Sequence, residues 1–89
     1  MPQLSEQIVI KNSQGLHARP AALFVQIVSR YNSSVTVEKD GQKINGKSIM
    51  GLLTLGVQPG AIVTLEVEGD DANEVFVELK ALLEKKVIE

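Results

Sequence analysis

The sequence predicts a small α+β domain in which a four-stranded antiparallel sheet is covered on one face by three helices. Its 89 residues suffice for one core, so we expect a single domain over residues 1–89. Strand-like and helix-like apolar spacings alternate in the order β-α-β-β-α-β-α. None of the predicted strands is a continuous apolar run, as a parallel sheet buried on both faces would require.

The first half of the chain predicts a strand, a helix and a hairpin. Pro20 belongs in the first turn of the helix, where its missing N–H group costs nothing. Asp40–Gly41 predicts a type I′ turn, which joins two antiparallel strands tightly. The predicted elements are a strand over 4–10, a helix from Pro20 to Tyr31 and strands over 34–39 and 42–45.

The second half predicts a short helix, a strand and a long helix. Ser48 is a preferred N-cap residue and precedes an apolar segment over 49–55, which we interpret as a two-turn helix. Asp71 and Glu74 have the spacing of a capping box at the start of the last helix. The predictions are completed by inward-facing Val63, Leu65 and Val67, by a buried stripe of Ala72, Val75, Phe76, Leu79, Leu82 and Leu83, and by Lys85 and Lys86 in the last turn.

Composition excludes several kinds of chemistry. The chain has no cysteine and one histidine, which argues against disulfide, iron–sulfur, thiolate and zinc sites, so we expect no metal and no cofactor. A formal charge of -2 and three aromatic residues argue against nucleic-acid binding. No apolar window reaches membrane-spanning length and the first residues do not resemble a signal peptide, so we expect a soluble cytoplasmic protein that does not bind membranes.

His17 is the side chain whose ordinary pKa lies near neutrality, and the first predicted helix begins just after it. Unpaired backbone N–H groups and the positive end of the helix dipole favour an anion at that place, such as a phosphoryl group on the ring. Arg19 supplies a permanent cation within reach. The residues alone leave two interpretations open, a phosphoacceptor or a surface histidine with no task. They provide no partner group for a self-contained enzyme.

Two motifs resemble the signatures of the histidine-containing phosphocarrier (HPr) family of the bacterial phosphotransferase system. Residues 15–21, GLHARPA, resemble its phosphohistidine signature, and residues 47–56, KSIMGLLTLG, resemble its regulatory serine signature. The resemblance covers about residues 5 to 86 and implies an open-faced β-sandwich. Gly46 stands where many relatives have a larger residue, and we expect it to loosen the approach to the second helix.

The resemblance implies a phosphoryl carrier rather than an enzyme that turns over alone. His17 would accept a phosphoryl group on Nδ1 from enzyme I, itself charged by phosphoenolpyruvate, and pass it to the IIA domains of sugar transporters, with Arg19 assisting. Ser48 would be phosphorylated by an ATP-dependent HPr kinase/phosphorylase and connect the chain to a catabolite-control transcription regulator. A paralogue type that serves only in catabolite repression lacks the histidine, so His17 argues against that identity.

The serine segment has a structural and a functional interpretation. Taken alone, Ser48 is more often a helix cap than a modification site, and the apolar residues after it are more often core. A two-turn amphipathic helix must still expose some of them. We therefore expect an apolar docking surface beside His17 on a monomeric carrier, formed by Ala18, Pro20, Ile49, Met50 and Leu53.

Two alternatives remain at this level. A carrier of the nitrogen-linked regulatory branch would use the same chemistry for signalling without moving sugar. A ferredoxin-like RNA-binding or ligand-sensing module shares the β-α-β-β-α-β order. The acidic balance and the lack of strand aromatics argue against RNA.

Overall fold

A computed structural model describes residues 3–86 and contains the seven elements that the sequence predicts, in the same order. A four-stranded antiparallel sheet carries three helices on one face, so the predicted fold class is confirmed. The strands are β1 (Gln3–Val9), β2 (Ser34–Lys39), β3 (Gln42–Asn45) and β4 (Ile62–Glu68), and the helices are α1 (Ala18–Ser29), α2 (Ile49–Thr54) and α3 (Ala72–Glu84).

The strand order is β1-β4-β2-β3, and β1 therefore lies at an edge of the sheet. In a ferredoxin-like fold β1 lies in the interior of the sheet, so that alternative does not fit. The hairpin between β2 and β3 turns at Asp40 and Gly41, whose φ angles of 52° and 83° are both positive. Positive φ at both central residues is the mark of the predicted type I′ turn.

The core lies between the sheet and the helices. Val63, Leu65 and Val67 of β4 are at most 1% exposed, whereas the residues between them point to the open face of the sheet. Phe24 of α1 and Leu79 of α3 are fully buried on the other side of this layer. In the described part of the chain, no helix is long and apolar enough to cross a membrane. The predicted stripe of α3 is confirmed, since all six of its residues are buried.

The start and end of α3 differ from the prediction. The Asp71 carboxylate makes no capping hydrogen bond and instead accepts hydrogen bonds from the backbone N–H groups of Asn32 and Ser33, at 2.9 and 3.0 Å, and from the Ser33 hydroxyl. These bonds, the hydroxyl's first, hold the pKa of Asp71 below its usual value. The predicted capping box is therefore wrong, because a tertiary contact takes the carboxylate. The helix ends at Glu84, so the placement of Lys85 and Lys86 in its last turn is also wrong.

Gly46 tightens the chain before α2, so the expectation of a looser approach is wrong. Its N–H group donates to the Val35 carbonyl at 2.8 Å. A Cβ atom at this position would lie 2.6 Å from Val35 Cγ1 and 3.1 Å from Phe24 Cε1. Glycine is used here because the backbone passes directly over the core, where a side chain has no room.

Candidate functional site

His17 is the N-cap residue of α1, and its side chain is exposed. Its backbone is extended, with φ -77° and ψ -173°, and its carbonyl accepts the first helical hydrogen bond, from Ala21 N at 2.9 Å. The imidazole makes no capping bond. Because Pro20 has no N–H group, the first turn presents the N–H groups of Ala18 and Arg19, and neither has an acceptor within residues 3–86. This helix end is open to an anion.

The loop before His17 is fixed by the loop before β4. Leu16 is 4% exposed, and its N–H group donates to the Val57 carbonyl at 3.0 Å. Gly15 has a φ of 67° and packs directly against the same carbonyl, so a side chain there would collide with it. Glycine meets both requirements. The backbone on one side of His17 is thus held while its ring remains at the surface.

Asn12 connects the loop before His17 to the C-terminal end of α3 by hydrogen bonds, a role that the sequence did not reveal. It is 1% exposed, and its side-chain nitrogen donates to the carbonyls of Leu82, at 3.0 Å, and Lys85. The neighbouring Lys11 N–H group donates to the Leu83 carbonyl at 3.0 Å. In the sequence Asn12 has only the features of a turn residue, because its partners lie about 70 positions away.

A shallow cleft connects His17 to α2. It measures about 160 Å³. His17 and Leu53 of α2 both line it, so one residue from each sequence motif borders the same cleft. Arg19 is exposed, lies outside this cleft and has no salt bridge or side-chain hydrogen bond within residues 3–86. The cleft is lined by Leu16, His17, Ala18, Leu53, Gly56, Val57 and Gln58.

Ser48 is the N-cap of α2, as predicted. Its hydroxyl oxygen accepts a hydrogen bond from the Gly51 N–H group at 2.9 Å, and its carbonyl accepts one from Leu52 N at 3.0 Å. The same short helix buries Leu52 completely. Ser48 itself is half-buried at the helix start.

Two exposed apolar residues that line the cleft and two more from α2 are together called the docking patch: Ala18, Leu53, Ile49 and Met50. The last three are 36%, 40% and 69% exposed, which is unusual for large apolar side chains. Pro20, which we also expected here, is instead buried within α1 and offers no surface to a partner. Ile49 also borders a larger groove of about 690 Å³ along α1 that does not include His17.

Neither α1 nor α2 contains an acidic residue. The sequence has no Asp or Glu between residues 7 and 37 or between residues 41 and 65, which include all of α1 and α2. By contrast α3 carries Glu74, Glu78 and Glu84. The chain is acidic overall, yet the one charged residue in these two helices is the cation Arg19.

The chain belongs to the HPr family. Residues 4–85 match the family model described as "PTS HPr component phosphorylation site". This match covers both motifs and every described helix and strand except the first residue of β1. The predicted resemblance is therefore confirmed at the level of the family.

Proteins similar to this chain include both Crh proteins and HPr proteins. The chain is 47% identical over 83 residues to the HPr-like protein Crh of Halalkalibacterium halodurans, covering 93% of this chain and 99% of that protein. Its structure is similar to that of phosphocarrier protein HPr from Bacillus anthracis, with a TM-score of 0.88, 38% identity and coverage of 93% and 99%. It is also similar to the Bacillus subtilis catabolite repression protein Crh, described as an intertwined swapped dimer, with a TM-score of 0.75, 45% identity and coverage of 94% and 97%.

Proposed function

We propose that this protein is a phosphoryl carrier: His17 accepts a phosphoryl group from phospho-enzyme I and passes it to IIA domains of sugar transporters. The observation that carries the proposal is the exposed imidazole at the open N-terminus of α1. The N–H groups of Ala18 and Arg19 and the Arg19 guanidinium are all available to the phosphoryl oxygens. Family membership supports a role in the phosphotransferase system, and His17 supports the carrier form of that role.

The chemistry needs only the ring and its surroundings. The lone pair of one imidazole nitrogen attacks phosphorus, an N–P bond forms, and the bond between phosphorus and the donor atom of phospho-enzyme I breaks. The resemblance assigns the N–P bond to Nδ1. The charge on the transferred group is stabilised by the N–H groups of the helix start and by the Arg19 guanidinium. The reverse sequence delivers the group to the next acceptor, so the protein is modified and restored without turning over alone.

The docking patch is the surface proposed for these partners. Each partner must bring its reacting group to the His17 ring, and the exposed Met50 and Ile49 lie on the neighbouring helix. Methionine adapts to differently shaped apolar surfaces, which suits a carrier that meets several partners. The lack of acidic residues in α1 and α2 removes repulsion against a phosphorylated partner and favours partners with acidic surfaces.

We further propose Ser48 as the regulatory site, modified by an HPr kinase/phosphorylase and recognised by a catabolite-control transcription regulator. A phosphoserine adds about -1.5 to -2 charges. At the start of α2 that charge is compatible with the fold, because the helix dipole favours anions there. It would also stand beside the docking patch, where an approaching phosphoryl donor is itself negative.

The direct test is phosphoryl transfer in a purified system. The protein is incubated with enzyme I and radiolabelled phosphoenolpyruvate, with a known HPr as positive control and the His17→Ala variant as matched negative control. We expect a label on the wild type that is lost in acid and stable in base, and no such label on the variant. Labelling of the control HPr without labelling of the wild type would overturn the carrier function.

A second candidate function is signalling through Ser48 alone, which the similarity to Crh favours. The two candidates differ at His17, since only the carrier needs its phosphorylation. An acid-labile label on His17 that is discharged by an added IIA domain supports the carrier. Labelling by an HPr kinase with no labelling by enzyme I supports signalling.

We also propose that the transferring species is a cytoplasmic monomer. The cleft that contains His17 is formed in the fold of a single chain, so the proposed transfer chemistry does not need a second copy. The related Crh described as a swapped dimer makes this worth measuring. Light scattering across a concentration series should give the mass of one chain for the species that accepts the phosphoryl group.

A further inference from the structure

Gln58 shares the cleft with His17 although it lies outside both sequence motifs. Of the residues that line the cleft, the others apart from His17 have apolar side chains or none. The Gln58 amide is therefore the one group in this lining that can form a side-chain hydrogen bond with the imidazole.

The backbone that carries Gln58 is held in place. Its carbonyl accepts a hydrogen bond from Ala61 N at 3.1 Å, and the preceding Val57 carbonyl accepts one from Leu16 N at 3.0 Å. Gly15 packs so tightly against this segment that a Cβ atom there would lie 3.0 Å from the Gln58 Cα. The Gln58 side chain is exposed, and its backbone is held next to the loop that carries His17.

His17 lies at the start of α1 and also lines the cleft together with Gln58. The ring nitrogen on the Gln58 side is called the cleft-side nitrogen. A neutral imidazole has a proton on one nitrogen and a nucleophilic lone pair on the other, and hydrogen bonding selects which is which.

We propose that the side-chain carbonyl oxygen of Gln58 accepts a hydrogen bond from the cleft-side N–H group of His17 and so keeps the other nitrogen free to take the phosphoryl group. Gln58 is then a positioning residue, since it acts on the phosphoryl group through the ring. The proton of the His17 ring stays on the cleft-side nitrogen while the N–P bond forms at the other nitrogen. The role of Gln58 rests on the proposed carrier function but concerns the unphosphorylated ring, so it can be measured without any transfer.

The experiment measures the tautomer ratio of His17 by the ¹⁵N chemical shifts of its ring nitrogens in the full chain, at a pH where the ring is neutral. Gln58→Leu keeps the bulk and removes the hydrogen bond, so we expect the ratio to move three- to tenfold away from the cleft-side N–H form, roughly the effect of one hydrogen bond. Gln58→Glu keeps an acceptor oxygen and should retain the wild-type preference. The matched control is Gln42→Leu, at an exposed position of β3 outside the cleft, and it should change nothing.

An unchanged ratio in Gln58→Leu would overturn the role of Gln58, as would a reversal in Gln58→Glu, which would mean that the amide donates rather than accepts. Enzyme I labelling of the same variants separates this role from the carrier function. If enzyme I labels the wild type but the tautomer ratio of His17 does not depend on Gln58, only the positioning role is excluded. If the tautomer ratio depends on Gln58 but enzyme I never labels the wild type, the carrier function is excluded and the proposed hydrogen bond is supported.

Discussion

The N-termini of α1 and α2 are built in different ways. At α2, the Ser48 hydroxyl accepts a hydrogen bond from Gly51 N at 2.9 Å and closes the helix end. At α1, the N-cap residue is His17, whose side chain makes no such bond. The two ends differ at the third helical position, where Gly51 N is bonded to the cap in α2 and Pro20 offers no N–H group in α1. The N–H groups of Ala18 and Arg19 have no acceptor within residues 3–86, as is also true of the first two positions of α2.

The difference shows that the start of α1 lacks the stabilising cap that the start of α2 has. A serine, threonine, aspartate or asparagine at an N-cap contributes about 0.5 to 2 kcal/mol, and histidine at this place contributes no capping bond. The cost is consistent with an anion site, because N–H groups already bonded to a cap would be less available to phosphoryl oxygens. Changes at these two helix ends should therefore separate transfer from stability.

The largest effect is expected from His17→Ala, which breaks the proposed role of the α1 end. Labelling by enzyme I and phosphoenolpyruvate should be lost completely, because no other imidazole exists in the chain. The ring is exposed and unbonded, so the unfolding free energy should stay within about 0.5 kcal/mol of the wild type. Acid-labile label that persists on the folded variant would contradict the proposal.

Arg19→Ala should have the second largest effect and should again spare the fold. A hydrogen bond to a charged group contributes about 1.5 to 3 kcal/mol, so we expect transfer to His17 to slow by at least tenfold. Arg19 has no salt bridge or side-chain hydrogen bond among the described residues, so the thermal midpoint should hardly change. Arg19→Lys is the matched control and should recover only part of the rate, because an ammonium lacks the planar fork. Full transfer by Arg19→Ala would show that the helix start alone stabilises the phosphate.

Sequence reasoning predicted the elements well because each has a strong local cause. Alternation placed β4, Asp40–Gly41 placed the hairpin and Ser48 placed the start of α2. It failed at Asp71, which has the local pattern of a capping box but turns to Ser33, a residue 38 positions away. Local patterns cannot show which of two possible partners a carboxylate will take.

The same limit applies to the candidate site. His17, Arg19 and Ser48 could be found because they lie in compact motifs at helix starts. Asn12 and Gln58 could not, since the hydrogen bonds of Asn12 and the position of Gln58 in the cleft depend on segments that meet only in the folded chain. Gly46 was misjudged for the same reason: its close neighbours Val35 and Phe24 are distant in sequence.

A charge at the α2 end should alter transfer without weakening the fold. Ser48→Asp places a negative charge beside the docking patch, where it repels a phosphorylated donor and is costly to desolvate against an apolar partner. We expect transfer from enzyme I to fall several-fold relative to Ser48→Ala, while the thermal midpoint equals or slightly exceeds that of the wild type. True phosphorylation should act more strongly, because aspartate carries about half the charge. Equal transfer rates for the two variants would exclude a charge switch, and early unfolding of Ser48→Asp would make the serine mainly a cap.

The smallest expected effects come from exchanging the two kinds of helix end. Ser48→Ala removes a cap and should lower the unfolding free energy by about 1 kcal/mol, or roughly 4 to 8 °C in thermal midpoint for a domain of this size.

His17→Ser should have the opposite effect and raise the unfolding free energy. The extended backbone at position 17, with φ -77° and ψ -173°, suits an N-cap, and the lost imidazole has no hydrogen bond to give up. The unfolding free energy should rise by only about 0.5 kcal/mol, the lower limit for an N-cap residue, because Pro20 offers no N–H group and only Arg19 N remains as a donor. Urea unfolding of both variants beside the wild type and His17→Ala would measure these changes. If His17→Ser were no more stable than His17→Ala, the open end of α1 would not be a site where capping was given up for phosphoryl binding.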